Sequence, residues 1–253
     1  MNNGDNGIVI SVEGLTVRYG ENTILDNVSL RVFKGEILVI AGGSGCGKST
    51  LLKHIIGLSK PARGKVVISG VDITTADYDK LKDLRKEIGM LFQSAALFGS
   101  MTLGENVSLP LATFTDLSPE TIELIMKMKL GMVGLAGYEN HFPAELSGGM
   151  QKRAGIARAM AMDPHILFFD EPSAGLDPIT AAGLDNLIKS INRGMGTTMV
   201  IVTHELQSIF AVAQRIIMLD KSTKGVIAEG DPLELKEKST DPLVRNFFNR
   251  QPA

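Results

Sequence analysis

The chain has 253 residues, of which 44% are hydrophobic, and its 26 basic and 28 acidic side chains give a formal net charge of −2. A chain of this length can bury a large α/β core, and its charge balance argues against a nucleic-acid-binding protein, which normally has a basic excess. The single cysteine, Cys46, excludes an internal disulfide and is typical of a reducing compartment. The opening segment MNNGDNGIVISVEGL lacks the features of a signal peptide, and no apolar run approaches the ~20 residues that span a bilayer. We therefore expect a soluble protein whose role at a membrane would come through a partner.

Alternating apolar residues predict two β-strands at the start of the chain, over residues 8–19 and 25–33. The alternation changes phase at Gly14, which indicates a β-bulge. Tyr19 ends the first strand, and by itself it is explained equally well as an ordinary strand-end residue. A further short strand over residues 66–69 completes what we interpret as an antiparallel β layer.

The apolar run EILVIA over residues 36–41 predicts a buried strand, and leucines and isoleucines at helical spacing begin at residue 51. Between them lies GGSGCGKST, which fits the G-x-x-x-x-G-K-[ST] pattern of a phosphate-binding loop. Glycines let successive backbone N–H groups curl around an anion, and the following helix offers its positive end. We expect Lys48 to reach the β- and γ-phosphates of a nucleotide and Ser49 to ligate Mg²⁺. The expected nucleotide contacts in this loop are Gly42, Gly43, Ser44, Gly45, Cys46, Gly47, Lys48, Ser49 and Thr50.

Cys46 lies inside this loop, and the sequence leaves two interpretations of it open. It can be a small side chain that fills space. It can also be a reactive thiol, because a cysteine near the amino end of a helix can have a lowered pKa.

Residues 94–162 are rich in methionine and leucine and contain helix-start signals such as Ser118 followed by proline. We interpret this stretch as a mostly helical insertion whose methionines, including Met126 and Met128, fill the core. It contains LSGGM, in which Ser147 can cap a helix. The two glycines that follow, Gly148 and Gly149, would leave the amino end of that helix open to a ligand.

Polar side chains follow two further predicted strands. Gln93 follows the strand over residues 88–92, and Asp170 and Glu171 follow the strand over residues 166–169. In open α/β folds, ligands collect at the carboxyl edge of the sheet. These side chains are therefore candidates for a nucleotide and metal site.

The last third of the chain continues the alternation of strands and helices, which predicts a mainly parallel, doubly wound core. His204 follows a buried strand over residues 197–202, and Asp177 precedes a proline that opens a helix. Near the end of the chain, the apolar pattern of Leu243, Val244, Phe247 and Phe248 predicts a short amphipathic helix. That helix can cover its own domain or reach a partner, and the sequence leaves both possibilities open.

Taken together, the phosphate-binding loop, Gln93, the Ser-Gly-Gly helix start, the Asp-Glu pair, Asp177 and His204 resemble the nucleotide-binding subunit of an ABC transporter. The resemblance implies an α/β P-loop NTPase (RecA-like) core with an antiparallel β subdomain and an inserted α-helical subdomain. It implies a single nucleotide-binding domain over 8–237, with the core in 8–93 and 163–237, the helical subdomain in 94–162 and a helical tail in 238–253.

The resemblance also implies cofactors, ATP and Mg²⁺, and a role for each candidate residue. Tyr19 would stack on adenine, Asp170 would hold Mg²⁺ through water, and Gln93 would sense the metal and the attacking water. Glu171 would orient or deprotonate that water, and His204 would contact the γ-phosphate. The implied metal ligands are Ser49, Gln93 and Asp170.

In this family the Ser-Gly-Gly motif completes the nucleotide site of the opposite subunit. The resemblance therefore implies a homodimer in which Ser147, Gly148 and Gly149 of one copy face the nucleotide of the other, with Asp177 also among the nucleotide-binding residues. ATP would favour the closed dimer and its hydrolysis would release it.

Three stretches, MLFQSAALFGSMTLGENVSLPL, ELSGGMQKRAGIARAMAMDP and FFDEPSAGLDPIT, resemble the Mla/Mce lipid-transport branch of the family. Met150 stands where the commonest signature has glutamine, which weakens a match to importers of sugars and amino acids. The branch implies movement of phospholipids or related lipids between the inner membrane and a periplasmic or outer-membrane carrier. The chain would power this movement from the cytoplasmic face of the bacterial inner membrane, where a permease would hold it. We expect the permease to dock near Leu97–Leu103, where Phe98 lies, and an MCE-type lipid-binding protein to belong to the same complex.

Three alternatives remain open. The first is the ATPase subunit of an ABC importer for a polar solute. The second is a non-transport ATPase that acts on DNA or ribosomes, which usually has two cassettes or long coiled-coil insertions that this sequence lacks. The third is a GTP-binding switch, although the sequence has no Asn-Lys-x-Asp guanine motif.

Overall fold

The structure is a computed structural model that describes residues 7–251. Two stretches lie outside the described part, residues 1–6 and residues 252–253. The first begins the segment that lacks signal-peptide features, and the second ends the predicted tail. The described residues form two compact units, one from 7–84 and 198–251 and the other from 85–197. The boundaries expected for the helical subdomain stay a prediction. Within the described residues, no helix is long and apolar enough to cross a bilayer.

The secondary structure of the described part agrees with the predicted elements, although some ends differ by a few residues. For example, the second strand begins at Asn22 rather than at residue 25. The strands are β1 (Ile8–Tyr19), β2 (Asn22–Phe33), β3 (Ile37–Ala41), β4 (Arg63–Ile68), β5 (Val71–Asp72), β6 (Ile88–Leu91), β7 (Ile166–Asp170), β8 (Thr198–Val202), β9 (Arg215–Asp220) and β10 (Gly225–Gly230). The α-helices are α1 (Lys48–Ile55), α2 (Tyr78–Lys86), α3 (Leu103–Phe114), α4 (Pro119–Met132), α5 (Gly148–Ala159), α6 (Pro178–Met195), α7 (Leu206–Val212), α8 (Pro232–Lys238) and α9 (Pro242–Asn249).

The first unit contains an antiparallel sheet with the strand order β2-β1-β4-β5. Buried apolar residues such as Ile10 and Val12 alternate along β1 with less buried ones, as expected for a sheet with one face on the core. The register between β1 and β2 shifts between Val12 and Leu15. Gly14 lies at this shift with a φ of 58°, in the left-handed region that suits glycine. The predicted β-bulge is therefore confirmed.

The first unit also contains strands in the order β10-β9-β3-β8. β3 pairs in parallel with β8 and β9, and β10 returns antiparallel to β9. Every residue of β3 and β8 is buried, as expected for parallel strands covered on both faces. The backbone N–H of Thr203 donates to Ile40 O at 3.2 Å, so β3 and β8 end side by side. The segments that follow these two strands therefore start at a common edge.

The second unit combines a parallel pair of strands, β6 and β7, with α3, α4, α5 and α6. The first three helices pack on one another, and they confirm the mostly helical character predicted for residues 94–162. The prediction that methionines fill the core is right for Met126, which is buried, and wrong for Met128, which is 51% exposed. Two residues along an α-helix turn the side chain by roughly 200°, so these two methionines point to opposite faces of α4.

The tail folds back on the first unit. Val244 and Phe248 on α9 are buried, and the Phe248 ring lies 5.7 Å from the ring of Phe210 on α7, centroid to centroid. Asp241 caps α9 by accepting a hydrogen bond from the backbone N–H of Leu243 at 2.8 Å. Of the two possibilities left open by the sequence, the structure supports the helix that covers its own domain.

Candidate functional site

The phosphate-binding loop joins β3 to α1, and three of its glycines have backbone conformations that disfavour other residues. The φ angle is 145° at Gly42, 76° at Gly45 and 100° at Gly47. A Cβ atom on Gly42 would lie 2.3 Å from Leu219 O and 2.7 Å from Cys46 Sγ, which is too close for non-bonded atoms. The loop is therefore a tight curl that offers backbone N–H groups rather than side chains to an anion.

Lys48 begins α1, and its ammonium turns back over the loop. Its Nζ donates to the carbonyl oxygens of Gly42 and Gly43 at 2.9 and 3.0 Å. The lysine is buried, whereas Gly43 and Ser44 are exposed. The first turn of α1 has no acidic residue, so the positive end of the helix dipole is not neutralised from within the helix. A fixed cation, exposed backbone and a helix amino end are the features that suit a phosphate.

Cys46 is a space-filling side chain in this structure. The residue is 2% exposed, and its Sγ occupies the position next to Gly42 where a side chain would otherwise collide. Burial raises the pKa of the Cys46 thiol above its ordinary value, although the nearby Lys48 ammonium acts in the opposite direction. The geometry therefore favours the first interpretation and argues against an acidified, reactive thiol.

His204 and Tyr19 are the other candidate residues of the first unit. His204 follows β8, at the edge where β3 leads into the phosphate-binding loop, and its Nε2 lies 3.6 Å from Glu205 Oε1. The buried Thr203 fixes the start of this segment, because its Oγ1 accepts a hydrogen bond from the Glu205 N–H at 3.1 Å. Tyr19 ends β1 and is 55% exposed, so its ring is available for stacking.

The second unit brings Gln93, Asp170 and Glu171 to one edge. β6 and β7 run in parallel with Leu91 opposite Phe169, so the residues that follow both strands lie side by side. Asp170 and Glu171 are buried, and Gln93 is exposed. Glu171 has a φ of 46°, which is uncommon for a residue with a side chain and often marks a functional position.

A residue that the sequence reasoning missed lies between these strand ends. Lys152 on α5 donates through Nζ to the carbonyl oxygen of Gln93 and, at 3.3 Å, to that of Glu171. Burial lowers the pKa of Lys152, while the carboxylates of Asp170 and Glu171 act in the opposite direction. The sequence does contain a signal for this burial. Lys152 lies three residues after Gly149 and four before Ile156, so it shares the face of α5 on which these two buried residues lie.

The amino end of α5 agrees with the predicted cap. Ser147 Oγ accepts a hydrogen bond from the Met150 N–H at 3.4 Å, and Ser147 and Gly148 are exposed. Gly149 differs from the expectation of an open helix end, because it is buried and a Cβ there would lie 2.4 Å from Thr180 Cγ2. Close packing between α5 and α6 therefore explains this glycine.

Asp177 caps the neighbouring helix α6. Its Oδ1 accepts hydrogen bonds from the backbone N–H groups of Ile179 and Thr180 at 3.1 and 3.0 Å. A hydrogen bond with the Thr180 side chain and these backbone bonds lower the pKa of the Asp177 carboxyl. The structure thus gives Asp177 a capping role, and it places this residue near Ser147 because α5 and α6 touch at Gly149.

A groove of about 680 Å³ lies within the second unit, beside the segment that follows Gln93. Its walls include the apolar residues Met90, Phe92, Phe98, Leu109 and Phe114, and its basic side chains are Arg85, Lys86 and Arg158. Phe98 is 51% exposed, whereas Leu103 is fully buried. The predicted contact stretch 97–103 is therefore only partly accessible, and Leu103 is excluded from it because it packs inside the unit.

The segment along this groove is held from below by Asn106, which is fully buried. Its Oδ1 accepts from the Phe98 N–H at 2.8 Å, and its Nδ2 donates to Phe98 O at 3.1 Å and Met101 O at 3.2 Å. A buried amide with this many hydrogen-bond partners holds the loop in one conformation. Phe98 is thus presented at the surface by a rigid support.

The family model and the relatives that match this chain all indicate the same protein family. Residues 25–174 match the family model described as ABC transporter. A probable ribonucleotide transport ATP-binding protein, mkl, of Mycobacterium tuberculosis is 43% identical over 96% of this chain and 67% of that protein. An intermembrane phospholipid transport system ATP-binding protein, MlaF, of Haemophilus influenzae is 41% identical over 95% of this chain and 90% of that protein. A methionine import ATP-binding protein, MetN, of Brucella abortus is 40% identical over 89% of this chain and 60% of that protein.

Among solved structures, a dimeric ATP-binding cassette in a post-hydrolysis state, bound to ADP and Pi, is 36% identical with a TM-score of 0.79. The match covers 88% of this chain and 98% of that one. The likeness confirms the α/β fold that the sequence predicted, including its antiparallel β layer and helical segment.

We predict that Cys46 reacts slowly with a thiol reagent and at the same rate with and without ATP, because the thiol is buried and its pKa is raised. The measurement is iodoacetamide labelling followed by mass spectrometry. A Cys46→Ala/Ser100→Cys variant, with its cysteine in an exposed loop, should label roughly tenfold or more faster. Clear protection of Cys46 by ATP would contradict the prediction.

Proposed function

Because the chain belongs to the ABC transporter family of ATP-binding proteins, we propose that it powers the transport of a lipid, most simply a phospholipid, in the bacterial envelope. The chain is an ATP-binding and ATP-hydrolysing subunit of an ABC transporter. The observation that carries the lipid assignment is the match to the phospholipid transport protein, which spans nearly all of both chains. The LSGGM signature, with Met150 at its last position, supports the same branch.

We assign a role in ATP hydrolysis to residues of each unit. Lys48 and the backbone of the loop would bind the β- and γ-phosphates, and Tyr19 would stack on the base. Glu171 would act as the base toward the attacking water, and His204 would contact the γ-phosphate. In ATP hydrolysis the protein mainly positions the reactants and stabilises charge, so these groups suffice when they are correctly placed.

The oxygen donors of Ser49, Asp170 and Gln93 fit Mg²⁺, which prefers hydroxyl, carboxylate and amide oxygens together with water. When bound, Mg²⁺ would neutralise charge on the phosphates. On the protein side, Asp170 is held in a buried position at the end of β7. Gln93 is exposed two residues beyond β6, so it is free to reach a ligand at that edge.

We propose that two copies of the chain form the working unit. Ser147 and Gly148 are exposed at the start of α5, a helix of 12 residues whose first turn has no acidic residue. Exposed backbone at the positive end of such a helix suits the γ-phosphate of a nucleotide held by the other copy. The likeness to a dimeric ATP-binding cassette supports this pairing.

We further propose that the groove beside Phe98 receives a helix of the membrane permease. Its apolar floor suits a helix-in-groove contact, and the basic groups of Arg85, Lys86 and Arg158 favour an acidic residue on that helix. The permease would hold the chain at the cytoplasmic face of the inner membrane, and an MCE-type lipid-binding protein would complete the transporter. A second candidate function is import of a polar solute, which the methionine import relative favours.

Glu171→Gln should bind ATP normally and hydrolyse it ~10²–10⁴-fold more slowly, because the amide cannot accept the proton of the attacking water. ATP affinity and phosphate release are measured on the same preparation. The matched control is Glu123→Gln on the exposed face of α4 in the same unit, which should hydrolyse ATP at the wild-type rate. Unchanged hydrolysis by Glu171→Gln would show that another group acts as the base.

Phe98→Asp should separate hydrolysis from transport. A carboxylate at this exposed position of the groove would disfavour an apolar contact, while the phosphate-binding loop, which belongs to the first unit, keeps its structure. The isolated subunit should keep its ATPase activity, and transport by the complete complex should fall by about tenfold or more. Leu124→Asp on α4 is the control, since Leu124 is also exposed but lies outside the groove. Normal transport by Phe98→Asp would contradict the docking proposal.

The lipid assignment is tested by purifying the chain with its membrane partner and identifying the lipids that co-purify. We expect enrichment of a phospholipid, and ATP-dependent transfer of a labelled phospholipid between vesicles by the reconstituted complex. Glu171→Gln should abolish that transfer. ATPase activity that is stimulated by methionine or another polar solute, with no lipid transfer, would favour the importer instead.

A further inference from the structure

Lys152 is a buried charge in the second unit. It is only 6% exposed, and the other buried residues of α5 are mainly small or aliphatic. Removing an ammonium group from water is costly unless it gains good hydrogen-bond acceptors inside the protein. The acceptors that Lys152 contacts therefore indicate what this residue does.

Two of these acceptors are backbone carbonyls at the ends of neighbouring strands. One belongs to Gln93, beyond β6, and the other to Glu171, directly after β7, with the latter 3.3 Å from Lys152 Nζ. A charged hydrogen bond to a backbone carbonyl fixes the peptide group and so restricts the direction of the neighbouring side chain. Lys152 thus ties together the two positions from which a base and a metal-sensing amide would act.

The backbone at these positions needs such support. Glu171 has a left-handed φ of 46°, a conformation that persists in a residue with a side chain only when its surroundings hold it. Beyond Gln93, Ala95 and Ala96 also have positive φ angles of 60° and 48°. The segment from 93 to 96 is therefore an unusual backbone path with little regular structure of its own.

A second cation of α5 supports the same segment. Arg158 donates to Ala95 O at 2.9 Å and to Ala96 O at 2.8 Å, and its Cζ lies 5.9 Å from the centre of the Phe98 ring. Lys152 and Arg158 are both on α5, so one rigid helix holds the carbonyls of Gln93, Ala95 and Ala96. This helix begins next to Ser147, the residue proposed to face the nucleotide of the other copy.

We propose that Lys152 is a positioning residue for ATP hydrolysis, which locks the backbone of Glu171 and Gln93 to α5. The proposal rests on the roles assigned above to Glu171 and Gln93. When α5 shifts as its amino end engages a nucleotide, Lys152 shifts the two strand ends with it. Hydrolysis is thereby linked to the position of the helix that completes the site of the other copy.

The test uses the full chain and compares Lys152→Met with Lys152→Arg. Lys152→Met keeps an unbranched side chain that is only one atom shorter but cannot donate. We expect kcat to fall by about 10²-fold while KM changes by less than about threefold, because a small misplacement of catalytic groups lowers kcat. Lys152→Arg, which keeps the charge and can donate to both carbonyls, should recover most of kcat. Lys127→Met on the exposed face of α4 removes the same charge and should leave kcat and KM unchanged.

A double-mutant cycle separates this proposal from the assignment of Glu171. If Lys152 acts through Glu171, Lys152→Met should lower the residual hydrolysis of Glu171→Gln by less than about twofold. Wild-type kcat in Lys152→Met, together with an inactive Glu171→Gln, would overturn the positioning role and leave the base assignment intact. Wild-type kcat in Glu171→Gln would overturn the base assignment instead, and a loss of kcat in Lys152→Met would then show that Lys152 acts through Gln93.

Thermal denaturation guards against a purely structural effect. We expect Lys152→Gln, whose neutral amide can donate to the carbonyls, to unfold near the wild-type temperature and to have a kcat between those of the wild type and Lys152→Met. If kcat instead fell only in proportion to the folded fraction, and equally in Lys152→Arg, Lys152 would stabilise the fold without positioning Glu171, and the proposal would be wrong.

Discussion

Parallel strand pairing decides where the chemistry of this chain collects. In the first unit, β3 and β8 end side by side, which brings the phosphate-binding loop and His204 to one edge. In the second unit, β6 and β7 do the same for Gln93 and the Asp170–Glu171 pair. An antiparallel pairing would send the ends of two neighbouring strands to opposite edges and separate these groups. The fully buried strands give each edge a fixed base, which a site that depends on positioning requires.

Close backbone approach is the second constraint, and it fixes residues that chemistry alone would not. A Cβ on Gly42 would collide with Leu219 O, and a Cβ on Gly149 would collide with the Thr180 side chain of α6. Both positions belong to motifs that are read as ligand-binding. In each case one glycine satisfies two demands, since packing excludes a side chain and the neighbouring backbone stays accessible. Replacing either would therefore disturb packing and the site together.

The parts of this fold that could be predicted from the sequence are those that depend on local pattern. Alternation predicted β1 and its bulge at Gly14, and the helical spacing of apolar residues from residue 51 predicted α1, which begins at Lys48. For Lys152 the local pattern indicates only that its face of α5 is buried, and its partners could not be predicted because they are backbone carbonyls far away in sequence. The same limit explains Met128, since an apolar residue alone does not reveal which face of α4 is buried.

The Arg158 side chain contacts both the groove and the segment that follows Gln93. Its guanidinium forms part of the groove wall, lies over the Phe98 ring and holds the Ala95 and Ala96 carbonyls. A helix bound in the groove would therefore contact the group that fixes the segment after Gln93, and no long chain of intermediates is needed. Since Arg158 and Lys152 share α5, a force on the guanidinium acts on the same rigid element that ties down Glu171. The coupling between transport and hydrolysis that this family requires can thus be carried by one helix and two cations.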